Sequence, residues 1–268
     1  MSSRLADTFA RLGGTPAFVA YIMGGDPDAG ASLELLHALP GAGVDIVELG
    51  FPFTDPAADG PTIAEAGQRA LKAGTTLEGV LEMLCGFRAR NADTPVILMG
   101  YANPLFRRGW EVAARDLAEA GADGVIVVDL PPEEDTAFRE ALGSHGLHLI
   151  RLATPTTTPA RMARVADGAG GFVYYVSSTG VTGAADADAR GMEAGLARAR
   201  KAARDGAGVP TVVGFGIKTP AQAREVAALA DGVVVGSAIV RAHHEEGKTA
   251  ALELVRSLAD AVHGEREN

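Results

Sequence analysis

A glutamate embedded in an apolar run is the first feature of this 268-residue chain that needs a chemical explanation. The run is Val44-Asp45-Ile46-Val47-Glu48-Leu49-Gly50, and Phe51-Pro52-Phe53-Thr54-Asp55-Pro56-Ala57-Ala58-Asp59-Gly60-Pro61 follows it. Side chains alternate along a strand, so Val44, Ile46 and Glu48 are expected on one face. A carboxyl at the end of such a column is poorly solvated, and desolvation raises its pKa. A carboxyl of that kind can give and take a proton near neutrality. The competing reading is a glutamate paired with a nearby Lys or Arg. In the following loop, Asp55 and Asp59 sit among three prolines that restrict the backbone. Asx-turn or helix-capping duty is the simpler reading of Asp55. Asp59 stands just before a helix expected from Pro61, and local pattern leaves it open between cap and chemistry.

A second constellation lies far along the chain. Gly214-Phe215-Gly216-Ile217 and Gly236-Ser237-Ala238-Ile239 each follow a short Val-rich run. Paired glycine turns, the second opening a helix, let backbone N–H groups and a helix N-terminus approach a phosphate. Tight turns around an empty crevice are the alternative. Between the two constellations, the small-residue stretch from Ser177 to Asp188 reads as a lid or as a passive loop. The six histidines offer no convincing metal-ligand set. Cys85 falls on the apolar side of its expected helix and reads as buried packing, and Trp110 reads as an anchor at a helix start. Walker, nucleophile-elbow and Rossmann patterns are absent.

These residues need a scaffold, and the chain supplies one repeated eight times. The apolar runs are Phe18–Met23, Val44–Leu49, Pro95–Met99, Gly124–Val128, Leu147–Leu152, Phe172–Val176, Val209–Val213 and Gly232–Val235. Short runs rich in Val and Ile suit strands buried on both faces. Helical patterns separate them; in Thr76–Phe87, for example, Leu77, Val80, Leu81 and Leu84 share one face. Strict alternation of this kind predicts an α/β fold: a single TIM barrel of (β/α)8 type over residues 1–268. Ser3–Leu12 is expected as an extra helix under the barrel, with extended loops after strands two and six. In such barrels the site lies at the C-terminal ends of the strands, where Glu48 and the glycine turns fall.

Composition narrows the class further. With 24 basic against 34 acidic residues the formal charge is −10, which disfavours non-specific nucleic-acid binding. One cysteine makes no internal disulfide and points to a reducing, cytoplasmic setting. Neither a secretory h-region nor an apolar stretch of about 18 residues is present, so no membrane association is expected.

Together the segments resemble the tryptophan synthase alpha chain. The resemblance rests on Val47 through Pro61, Gly24-Gly25-Asp26-Pro27, Met99-Gly100-Tyr101-Ala102-Asn103-Pro104 and Asp129-Leu130-Pro131-Pro132-Glu133-Glu134. It rests also on Tyr174 through Gly183, ending in Thr179-Gly180-Val181-Thr182-Gly183, and on Gly214-Phe215-Gly216-Ile217. It implies retro-aldol cleavage of indole-3-glycerol phosphate to indole and glyceraldehyde 3-phosphate. By the same resemblance Glu48 is the general acid/base, Asp59 faces the indole N–H and Tyr174 is an active-site tyrosine. Tyr21, Met99, Ile126, Phe172 and Phe215 match the indole pocket. Gly183, Gly216, Gly236 and Ser237 match the phosphate site, Thr182 matches the lid threonine, and Asp55 matches the face that meets a beta chain. The implied assembly has two alpha chains flanking a beta dimer. Pyridoxal phosphate is expected in the beta partner, and neither a cofactor nor a metal in this chain.

Three departures stand out: Ser178 where many relatives carry a longer basic residue, a longer segment between Gly183 and Gly214, and Arg151, which puts a charge inside strand five with no partner legible in the sequence. The competing functions are a free-standing lyase, a non-catalytic activating subunit and a generic sugar-phosphate barrel. Intact Glu48 and Asp59 speak against the second. The third explains the glycine turns but not the stretch from Glu48 to Asp59.

Overall fold

The structure, a computed structural model, describes residues 3–176, 189–214 and 216–264. Eight parallel strands close into a barrel in sequence order. They are β1 (Ala17–Met23), β2 (Ile46–Gly50), β3 (Val96–Gly100), β4 (Gly124–Val127), β5 (His148–Ala153), β6 (Val173–Val176), β7 (Thr211–Gly214) and β8 (Gly232–Val235). The helices are α1 (Arg4–Leu12), α2 (Ala29–Ala38), α3 (Pro61–Lys72), α4 (Leu77–Arg88), α5 (Ala102–Phe106), α6 (Trp110–Glu119), α7 (Thr136–Ser144), α8 (Pro159–Ala166), α9 (Ala189–Asp205), α10 (Pro220–Ala227), α11 (Ser237–Glu246) and α12 (Lys248–His263). This is the TIM barrel that the alternation predicts. The short α5 is not among the expected elements, because its five residues are too few to show a helical period.

Alternation divides the strand residues between two cores. Val19, Ile46, Ile97, Ile126, Ile150, Val212 and Val234 fill the barrel, while Val47, Leu49, Leu98, Val125 and Val213 pack outward with the helices. Leu5, Phe9 and Leu12 of α1 join the inner core from below, and the Phe9 ring meets Phe172 edge-on at 6.3 Å. The N-terminal helix therefore plugs the barrel as expected. Val44 is a correction: it packs in the outer core, not on the face of Ile46 and Glu48. β2 begins only at Ile46, and the left-handed Gly43 turns the chain just before it. Cys85 is another: it is exposed, since α4 buries Val80, Met83, Leu84 and Phe87. Trp110 does anchor, stacking on Phe138 at 4.5 Å.

The lower rim is fastened by one device used three times. Asp45, Asp123 and Asp231, each just before a strand, accept an N–H from the start of a neighbouring strand, from Phe18, Val96 and Thr211. Each also holds basic side chains: the His263 ring and Arg11 on Asp45, Arg4 and Arg88 on Asp123, Arg200 and Arg204 on Asp231. Polar groups at the N-terminal face of such a barrel serve stability. Asp123 is 6% exposed, and replacing it by Ala leaves the half-buried Arg88 guanidinium with backbone carbonyls but without its carboxylate. Asp123→Ala is expected to destabilise the fold by about 3–5 kcal/mol, seen as a Tm lowered by roughly 10 °C in thermal unfolding. A change near zero would mean that water replaces the carboxylate at no cost.

Candidate active site

Glu48 stands on the inner face of β2, between Tyr21 of β1 and Ile97 of β3 in the strand register. It is 1% exposed, and its Oε2 has no hydrogen-bond partner. Among the described residues no Lys or Arg pairs with it, so the simpler reading of a salt-bridged glutamate does not hold. Burial, and then the charge of Asp59, push its carboxyl up to about 8. The cause is desolvation in an apolar barrel mouth, with no compensating cation among the described residues.

Asp59 approaches from the loop after β2. It does not cap α3; that position belongs to Gly60, with Pro61 in the first turn. The prolines and several contacts with the end of β3 and the loop after it fix the segment. Phe51 N–H donates to the Met99 carbonyl, Phe53 stacks on Tyr101 at 5.1 Å, and Ala58 N–H donates to the Tyr101 hydroxyl at 3.0 Å. Tyr101 in turn donates to the Asp59 carboxylate. Burial raises Asp59 to about 6, and the Tyr101 hydrogen bond holds it below where burial alone would leave it. The two carboxyls are thus pushed apart, so that near neutrality Asp59 is ionised while Glu48 keeps its proton. Opposed environments of this kind assign acid and base roles to a carboxyl pair.

Both carboxyls line one cleft at the barrel mouth, together with Tyr21, Gly60, Ile63, Met99, Tyr174, Gly216, Ile217, Val234, Gly236 and Ser237. Apolar walls with a few convergent polar groups are the usual make-up of a small-molecule site. Tyr174 reaches in from β6 over Gly214, where any Cβ would overlap its hydroxyl. Burial and the nearby carboxyl charges raise both Tyr21 and Tyr174 well above the usual phenol range, so they are neutral. At the end of the cavity formed by the last two turns, Gly216 adopts a left-handed backbone (φ 78°) and Gly236 with Ser237 opens α11. Val240 N–H closes the first turn on the Gly236 carbonyl. The earlier N–H groups of that turn have no helical partner, which suits an anion.

The structure therefore gathers Glu48, Asp59, Tyr174, Tyr21, Met99, Gly216, Gly236 and Ser237 around one space. Ile126 and Phe172 belong to the inner core but not to the wall of this cavity. Phe172 packs on the α1 plug instead. Asp55 is exposed and takes a hydrogen bond from the Thr54 hydroxyl at 2.6 Å, outside the cavity. Thr182, Gly183, Phe215 and Ser178 lie outside the described residues. Sequence reasoning assigns no role to Tyr101, Ile63, Ile217 or Val234. Val234 is readable from alternation in β8, and Ile63 from its place one turn after Asp59. No group of three metal-ligating side chains occurs among the described residues, and no helix among them is long and apolar enough to cross a membrane.

A family model described as "Tryptophan synthase alpha chain" matches residues 9–266. The tryptophan synthase alpha chain of Phenylobacterium zucineum is 51% identical over 268 residues, 97% of this chain and 95% of that one. That of a Caulobacter strain is 56% identical over 223 residues, covering 83% and 80%. Among solved structures, tryptophan synthase subunit alpha from Legionella pneumophila superposes with a TM-score of 0.89 at 36% identity, covering 98% of this chain and 99% of that one. A chain of Mycobacterium tuberculosis tryptophan synthase gives 0.88 at 38%, again covering 98% and 99%. With its barrel, its cavity and this likeness along nearly its whole length, the chain belongs to the tryptophan synthase alpha chain family.

Proposed function

We propose that the chain works as the alpha subunit of tryptophan synthase, cleaving indole-3-glycerol phosphate to indole and glyceraldehyde 3-phosphate as a carbon–carbon lyase. The observation that carries this reading is the pair of carboxyls with separated pKa values at one end of a cavity whose other end is a helix N-terminus. Protonated Glu48 delivers its proton to the indole ring carbon that bears the side chain. Positive charge then spreads to the ring nitrogen, where ionised Asp59 stabilises it. The Glu48 carboxylate next takes the proton from the side-chain hydroxyl. The carbon–carbon bond breaks, its electrons return to the ring, and the hydroxyl carbon becomes the aldehyde of glyceraldehyde 3-phosphate. Glu48 ends protonated, ready for another turnover.

The other parts follow from position. Tyr21, Met99 and Tyr174 flank the ring and side chain, and Gly216, Gly236 and Ser237 take the phosphate through backbone donors. Ile126 and Phe172 support the pocket from the inner core; for Phe215, Gly183 and Thr182, outside the described residues, the pocket, phosphate and lid roles are those the family resemblance implies. Asp55 stands on the outward face of the Asp59 loop, free to meet the beta chain. The assembly is read as two alpha chains on a beta dimer, working in the cytoplasm, with each alpha chain one barrel domain. Pyridoxal phosphate belongs to the beta partner, since nothing in this proton-transfer scheme draws on a cofactor. Indole release by the purified chain, alone and with a beta chain, tests the reading. Slow release alone and a large gain with the partner is expected. Equal, fast release would indicate a free-standing lyase, and none in either case would overturn the catalytic assignment.

A further inference from the structure

Arg151, the charge inside β5, has a partner and more. Its side chain points outward with Leu149 and Ala153, opposite to Ile150 and Leu152, into the seam between the barrel and helices α7 and α8. It is 7% exposed, and Asp135 is 1% exposed. The guanidinium forks onto that carboxylate, with Nε at 2.6 Å and Nη2 at 2.8 Å. Nη1 donates to the carbonyls of Arg164 at 3.0 Å and of Asp167, which close the last turn of α8. Asp135 is the N-cap residue of α7, yet its side chain makes no cap hydrogen bond, and both its oxygens accept from Arg151. The carboxylate of a helix N-cap residue serves a buried ion pair instead of the helix. That exchange ties one strand and two helix ends to a single point.

The point anchors the loop that runs from β4 to α7. Asp135 is the loop's far end. At its near end the Asp129 carboxylate accepts the Ala102 N–H at 2.7 Å. Between them Glu133 takes Arg161 at 2.7 Å and Arg164 at 3.2 Å, both from α8. Ala102 follows Tyr101, whose hydroxyl holds Ala58 N–H and the Asp59 carboxylate. A contiguous path of hydrogen bonds and backbone therefore leads from Arg151 through the loop to Asp59. Asp55, on the outward side of the same Asp59 loop, lies on the face assigned above to the beta chain.

We propose that the Arg151–Asp135 clasp is a positioning device for partner activation: it holds the loop after β4 rigid, so that contact at the beta face is passed through Asp129 and Tyr101 to Asp59. The inference rests on the proposed pairing with a beta chain. Its test is indole release from indole-3-glycerol phosphate at saturating beta chain, divided by release without it. Arg151→Met and Asp129→Ala are each expected to leave release by the chain alone within about twofold of wild type and to lower the activation ratio at least fivefold. Arg151→Lys, which keeps the charge but not the fork, is expected to recover part of the ratio. Asp129 is exposed, so its variant keeps the fold even where loss of Arg151 does not. A lowered Tm with an unchanged activation ratio in Arg151→Met, or an unchanged ratio in Asp129→Ala, would reduce the clasp to a stabilising contact and overturn the proposal. Absence of activation in the wild type would instead overturn the partner reading, and this inference with it.

Discussion

Glu48→Gln is expected to abolish cleavage and to make the protein more stable. The amide keeps the size of the carboxyl but can neither deliver a proton to the ring carbon nor take one from the hydroxyl. General acid–base groups contribute about 10²–10⁴-fold each, and one residue serving both steps should fall at the upper end of that range. The stability change follows from proton linkage. The folded-state pKa of Glu48 is about 8, against a reference of 4.5, so between those values the folded state binds a proton that the unfolded state has lost. Wild-type stability contributed by this group is fully present below pH 4.5 and is lost as pH rises through 8. At pH 7 the cost of the carboxyl is about 1–3 kcal/mol, which the neutral amide avoids, so Tm should rise by roughly 3–10 °C. Thermal unfolding of both proteins from pH 4 to 9, beside an indole-release assay, checks both effects. A gain in Tm that is the same at every pH would show that the carboxyl is not titrating as argued. Retained cleavage would remove Glu48 from the mechanism.

The origin of that destabilised carboxyl is legible in the amino-acid order alone. Glu48 breaks an otherwise apolar run, and the period of two that puts Ile46 with Glu48 suffices to place it inside the barrel. The same rule fails two residues earlier at Val44, because alternation holds only within a strand and β2 starts at Ile46. The eight strands are legible since parallel strands buried on both faces leave uninterrupted Val- and Ile-rich runs. What stays hidden is long-range pairing. No local pattern joins Arg151 to Asp135, sixteen positions apart across α7, or Asp45 to His263, 218 positions apart. Tyr101 escapes notice for a related reason: its importance lies in a hydroxyl aimed at a neighbouring loop, and its own segment shows only an aromatic after a strand. Local pattern leaves Asp59 open for the opposite reason, since an aspartate ahead of a helix usually caps it. Here Gly60 and Pro61 take over the helix start and free the side chain.

Asp59→Asn tests whether that freed carboxylate works on the ring nitrogen and on Glu48 at once. Removing a group that stabilises charge as it develops costs about 10²–10³-fold in rate, and the loss should fall on kcat more than on KM. The pH profile carries the sharper signal. In the wild type, kcat/KM should rise as Asp59 ionises near 6 and fall as Glu48 loses its proton near 8. The substrate's phosphate also titrates near 6, so the acid limb reports on enzyme and ligand together. The alkaline limb is cleaner. Asp59's charge is part of what raises Glu48, and the neutral amide withdraws it. Burial remains, so the Glu48 carboxyl should stay above its ordinary value while its limb moves below 8. An alkaline limb left where it was would mean that the two carboxyls do not interact, and the division of labour between an ionised Asp59 and a protonated Glu48 would have to be abandoned.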